Sequence, residues 1–79
     1  MLYNSKAFAT VIGRLRIKKG LTQDGASALA GLSRSHWAEL ESGSCIPRLD
    51  TLWGIAYALG IKAHELTALV EKEMEEDTG

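Results

Sequence analysis

The sequence predicts an all-α fold class: one compact domain of five short helices. Three observations carry that prediction. Apolar residues recur at spacings of three and four along successive segments, the pattern of helices with one buried face. Gly20, Gly31, Gly43 and Gly60 punctuate the ends of those segments, where a left-handed residue stops a helix. No alternation of apolar and polar residues is long enough for a strand. At 79 residues the chain is a single domain. Its expected core spans residues 5–70, with an acidic C-terminal tail over residues 71–79.

The first segment covers about residues 5–19. Phe8, Val11, Ile12 and Leu15 make one stripe, and Asn4 or Ser5 can cap its start. Gly13 lies inside it at a cost of up to ~1 kcal/mol against Ala, so close helix packing is expected there. The second segment, Gln23–Ala30, contains Gly25 and Ser27 and needs its neighbours to hold it. Its expected inward face is Ala26, Leu29 and Ala30. Thr22 is placed to cap it, with Asp24 set favourably against the positive end of its dipole.

Gly31 makes a turn, and Ser33 caps the third segment, Arg34–Ser42. Trp37 and Leu40 are expected to point inward. On a wheel of about 100° per residue, Ser35, Ala38, Glu39 and Ser42 point the other way. Arg34 and His36 flank the first turn, and Glu41 lies on the shoulder. A loop with the only proline, Pro47, leads to a fourth segment over about residues 49–59, with Leu49, Leu52, Ile55, Ala56 and Leu59 inward. The fifth starts near Ala63 and keeps Leu66, Leu69, Val70 and Met74 on one stripe until its Glu-rich end frays.

Composition narrows the function. No apolar run approaches the ~20 residues that span a bilayer, and no signal peptide is recognisable. The single cysteine, Cys45, cannot close an internal disulfide and fits a reducing cytosol. One cysteine and two histidines make a structural zinc site improbable, so no metal and no cofactor are expected. The net charge of −1 argues at first against a DNA partner. Its distribution changes that: residues 1–62 hold eight basic and four acidic side chains, and residues 63–79 hold one and six. A body of +4 with an end of −5 is one sign of a nucleic-acid binder. Catalysis is not expected. His64-Glu65 opens a metalloprotease-like pattern, but Ala68 stands where the second histidine is needed. Neither a nucleophile motif around Cys45 nor a glycine-rich phosphate loop occurs.

Two short helices joined across Gly31 form the helix-turn-helix arrangement, whose second helix can enter the DNA major groove. With the residues around them, the chain resembles the phage-repressor-like, XRE-type helix-turn-helix family. The resemblance is carried by Leu15-Arg16, Gly20-Leu21-Thr22-Gln23, Ala30-Gly31-Leu32-Ser33-Arg34-Ser35 and Leu40-Glu41-Ser42-Gly43. It continues through Pro47, Thr51-Leu52, Ile55-Ala56, Ala58-Leu59-Gly60-Ile61 and Glu65-Leu66, covering roughly residues 8–66. The sequence departs from the family pattern at Ser27, usually Ala, and at Gly25, usually a polar helix former. Trp37 replaces a smaller aliphatic residue, which implies a rebuilt pocket between the motif helices, and Lys62 stands where a capping Ser is common.

The outward residues can then be given roles. Arg34, Ser35, Ala38 and Glu39 are the candidate base contacts. Arg34 suits guanine O6 and N7, Ala38 a thymine methyl, and Glu39 cytosine N4. Without such a donor, Glu39 is a solvated acid that weakens binding. Gln23, by the resemblance, bonds a phosphate beside the free N–H groups of its helix start. His36, Ser44, Arg48 and Lys6 are candidate phosphate contacts by position. The resemblance also implies a structural ion pair, Arg16 with Glu41, joining the first helix to the recognition helix.

Trp53 and Tyr57 lie off the inward stripe of their helix. They are read as a dimer interface made with Leu69 and Val70, or else as a platform for Leu2 and Tyr3. A two-fold dimer would set its recognition helices about 34 Å apart, one turn of DNA. The sequence therefore predicts a cytoplasmic, nucleoid-associated regulator that binds double-stranded DNA as a homodimer on a palindromic operator. With no ligand domain in view, regulation would come from concentration, DNA occupancy or a partner protein. The rivals are an antitoxin, whose acidic tail would hold a toxin, and a protein-interaction module that keeps the fold without binding DNA.

Overall fold

A computed structural model describes residues 3–78. Five helices follow in order: α1 Ser5–Lys18, α2 Gln23–Ala30, α3 Arg34–Ser42, α4 Leu49–Ala58 and α5 Ala63–Thr78. Among the described residues there is no strand, and no helix is long and apolar enough to cross a membrane.

Local chemistry fixes most of the helix starts. Asn4 accepts from the backbone N–H of Lys6 and Ala7, Thr22 from that of Gly25, and Ser33 from that of His36. Lys62, before α5, has no side-chain acceptor to offer. There Glu65 reaches back instead, and its Oε1 accepts from the Lys62 N–H at 2.8 Å, the return half of a capping box. The Glu-rich end, expected to fray, is helical through Thr78. Residues 71–78 continue α5, Met74 packs into the core, and Glu73 pairs with Arg14 at 3.3 Å.

α1 packs against α3 on one side and α5 on another, while α2 packs against α3 and α4. Phe8, Ile12, Trp37, Leu40, Ile55, Leu59 and Leu66 are fully buried between these helices. At roughly 1.5–3 kcal/mol each, such side chains supply the main drive for folding a domain this small. The tightest approach is between α2 and α4. A Cβ placed on Gly54 would stand 2.6 Å from the Ala30 carbonyl oxygen, so the two helices meet almost backbone to backbone. That contact ties α2, and with it the helix-turn-helix unit, to the rest of the core.

Three residues expected on inward stripes lie outside: Leu29, Leu49 and Leu69. Leu29 is 50% exposed, and Ser27 takes the buried position instead. The inward stripe of α2 is Gln23, Ala26, Ser27 and Ala30, at i, i+3, i+4 and i+7. Ser27 tolerates burial because its hydroxyl donates to the Asp24 carbonyl at 2.8 Å. Leu49 is 70% exposed because it opens α4 before that helix reaches the core.

Candidate nucleic-acid interface

The turn between α2 and α3 is built from two conformational choices. Gly31 takes φ +74°, in the left-handed region, and Ser33 returns to extended backbone as it caps α3. The result presents α3 with one face to solvent. Arg34, Ser35, Glu39 and Ser42 are exposed and Ala38 is half-buried, while Trp37 and Leu40 on the underside are fully buried. His36 is half-buried beside the first turn.

Below that face lies a polar knot. Arg16 grips Glu41 with two parallel bonds, Nε to Oε1 at 2.7 Å and Nη2 to Oε2 at 2.9 Å. The Trp37 indole N–H donates to Oε1 at 2.8 Å, and Gln23 Nε2 donates to Oε2 at 3.0 Å. Arg16 also donates to the Leu21 carbonyl at 2.7 Å. Burial pushes the Glu41 carboxyl up. Bonds from Arg16, Trp37 and Gln23, with the charge of Arg16, outweigh that and hold it below its ordinary value. The bond to Glu41 keeps Arg16 above its own, against burial. One carboxylate thus joins α1, α2 and α3. Gly13 makes room for it: a Cβ there would sit 3.4 Å from Glu41 Cγ.

The remaining residues singled out from the sequence fall around this unit. Lys6 and Ser44 are exposed. Lys6 passes the C-terminal end of α3, its Cγ 3.5 Å from where a Cβ on Gly43 would be. Ser44 donates to the Glu39 carbonyl at 3.1 Å. Arg48 is exposed and reaches Asp50 at 3.3 Å. Gln23, expected at a phosphate, has one amide N–H directed at Glu41 and keeps a second. Cys45 is half-buried near Glu39. Burial raises its thiol and the nearby carboxylate adds to the rise, so it is no activated nucleophile.

The four residues expected to form one dimer patch do not lie together. Trp53 and Tyr57 are 58% and 75% exposed, on a groove shared with Leu49, Leu52 and His64. Val70 is 4% exposed and belongs to the core, because its stripe on α5 carries Leu66 and Met74. Leu69 faces another groove, with Val11, Arg14 and Leu15 of α1. Tyr3 stands beside Phe8, ring centroids 6.5 Å apart, and does not cover Trp53 or Tyr57. Leu2 lies outside the described residues.

A family model for the helix-turn-helix domain matches residues 7–69. The chain belongs to the helix-turn-helix domain family. It is 39% identical over 61 residues to an uncharacterized HTH-type transcriptional regulator, y4dJ, of Sinorhizobium fredii, covering 77% of this chain and 79% of that one. It is similar to the restriction-modification controller protein C.AhdI from Aeromonas hydrophila at 32% identity and a TM-score of 0.77, over 82% of this chain and 98% of that. The wild-type controller protein C.Esp1396I aligns with a TM-score of 0.84 over 96% of this chain and 99% of that. At 21% identity, that likeness speaks for the fold alone.

Within this helix-turn-helix domain, two features were not visible from sequence reasoning: the close approach at Gly54 of α4 and the hydrogen bond of the Trp37 indole. Gly54 carries no periodic signal, and its importance follows from how near α2 comes. The indole bond of Trp37 pairs residues i and i+4 of one helix, a spacing that offered a hint.

Proposed function

We propose that this chain is a DNA-binding transcriptional regulator that reads its operator as a homodimer. The observation that carries the reading is the exposed outer face of α3, held rigidly from beneath by Trp37, Leu40 and Glu41. In this reading α3 lies in the major groove. Arg34 bonds guanine, Ala38 touches a thymine methyl, and Ser35 and Glu39 bond neighbouring base edges. The second N–H of Gln23, with Lys6, His36, Ser44 and Arg48, binds phosphates that set the register. The family and the named relatives support this class over an enzyme.

The same reading gives Leu49, Trp53 and Tyr57 to the contact between two copies. They are large apolar side chains on one groove, and contiguous exposed apolar surface marks an interaction site. A two-fold pair would bring two α3 helices to successive major grooves on a palindrome. The acidic last turns of α5 form a separate surface suited to a basic protein partner, which co-purification would reveal. The site of action is the cytoplasm, on the nucleoid.

Selection from a pool of random duplex DNA tests the proposal. A symmetric enriched motif is expected, bound by two copies, with affinity falling steeply as salt rises because each neutralised phosphate releases counterion. No enrichment and a flat salt response would overturn it in favour of a protein-interaction module, the role that Glu39 on the outer face would suit.

A further inference from the structure

Trp37 does more than fill the core. It is fully buried, and its indole N–H reaches a side-chain carboxylate at 2.8 Å. Oε1 of Glu41 therefore takes Trp37 and Arg16 Nε, while Oε2 takes Arg16 Nη2 and Gln23 Nε2. An ionised carboxylate has about four lone-pair sites, so four donors saturate it. A saturated group cannot turn to follow one partner without breaking with another.

The consequence falls on Gln23, the first residue of α2 and, at 3.0 Å, the longest of the four bonds. A carboxylate only accepts, so Gln23 must direct Nε2 toward it. Its carbonyl oxygen and second N–H then face away from Glu41. We propose that Trp37, acting through Glu41, is a positioning residue for DNA recognition: it fixes the Gln23 amide to the recognition helix, so that contacts at the head of α2 and on α3 keep one register. This inference rests on the DNA-binding reading above. Without the indole donor, the carboxylate is free to swing with Arg16, and the Gln23 bond loosens first. Phosphate contacts set register, whereas general attraction to DNA comes from charge. Loss of the indole N–H therefore blurs sequence discrimination and spares non-specific binding.

The test compares a duplex enriched from a random pool with a random duplex of equal length. Trp37→Phe removes the N–H and keeps a buried ring. The ratio of the two affinities should fall by about tenfold, the scale of one hydrogen-bonded contact. Affinity for the random duplex should change by less than about twofold. Gln23→Leu should lower the ratio at least as much, and adding Trp37→Phe to it should lower it no further, because the indole acts only through the Gln23 amide. Additive losses, or equal losses on both duplexes, overturn the proposal.

A second measurement needs neither a variant nor DNA. Of the two Gln23 side-chain amide protons of the wild-type protein, the one bonded to Glu41 should exchange with solvent more slowly by NMR than that of a free amide, and two protons that both exchange as fast as a free amide overturn the anchoring. If no duplex is enriched, the DNA-binding reading falls and this one with it. If one is enriched and Trp37→Phe leaves the ratio unchanged, only the positioning role falls.

Discussion

Gly54→Ala should destabilise the fold, although helix propensity alone points the other way. Ala is favoured over Gly in a helix interior by up to ~1 kcal/mol. At this position the added methyl would stand 2.6 Å from the Ala30 carbonyl oxygen and 3.5 Å from its carbon. Ordinary carbon–oxygen contacts are about 3.3–3.6 Å, so the approach is short by close to 1 Å. Both partners are backbone atoms of helices, and no rotamer change relieves the clash. α2 and α4 must separate. Overpacking of this kind costs about 1–3 kcal/mol, and the rigid partner puts it toward the upper end. After the propensity gain, a net loss of about 1–2 kcal/mol remains. For a domain of this size that lowers the melting temperature by roughly 5–15 °C. Urea and thermal unfolding, followed by circular dichroism at one fixed protein concentration, would measure it, since association makes the midpoint depend on concentration. Unfolding at or above the wild-type midpoint would refute the claim that backbone contact between α2 and α4 holds the reading unit in place.

Three further outcomes follow from the interface and the core. Arg34→Ala should weaken binding to the enriched duplex by ~1–3 kcal/mol and relax one operator position, with a smaller loss on random DNA. Equal losses on both duplexes would remove Arg34 from the base contacts. Trp53→Glu should shift the protein toward monomer in sedimentation, and an unchanged profile would move the dimer contact elsewhere. Glu41→Gln strands Arg16 and should cost ~3–5 kcal/mol near neutral pH. Because the folded Glu41 carboxyl lies below its ordinary value, its contribution is present above the unfolded pKa and is lost as pH falls through the folded one. The gap between wild type and Glu41→Gln, read from urea unfolding, should therefore narrow in acid. A gap that stays constant would show that the carboxylate is not the stabilised species.

Much of the fold was legible in the sequence because its determinants are local. A hydroxyl or amide before an apolar period starts α1, α2 and α3, and the glycines after them stop those helices. The face of α2 was misread for a physical reason. Ser27 looks like a surface residue until a neighbouring carbonyl satisfies its hydroxyl, and Leu29 looks like a core residue until Gly54 and Ala30 set the rotation of the helix. Leu49 and Leu69 failed similarly, since periodicity does not say which neighbour a stripe will meet. At the site, the outward face of α3 followed from its wheel. The family resemblance supplied the pairing of Arg16 with Glu41. Trp37 joins the pair from within α3, four residues before Glu41, whereas Gln23 joins it across the gap between α2 and α3, which no single segment encodes. Gly13 was expected to admit a close neighbour, and the neighbour is the carboxylate itself.

The sharing of one carboxylate by three helices has a dynamic corollary. Proteins open in cooperative pieces, and a piece can loosen alone only if few interactions cross its boundary. α3 has no such boundary: peeling it away strands the Arg16 guanidinium and bares the Trp37 ring in the same event. Its amide protons should thus exchange only through excursions nearly as costly as global unfolding. In the DNA-binding reading proposed above, an α3 already stiff in the free protein would surrender little conformational freedom on a duplex.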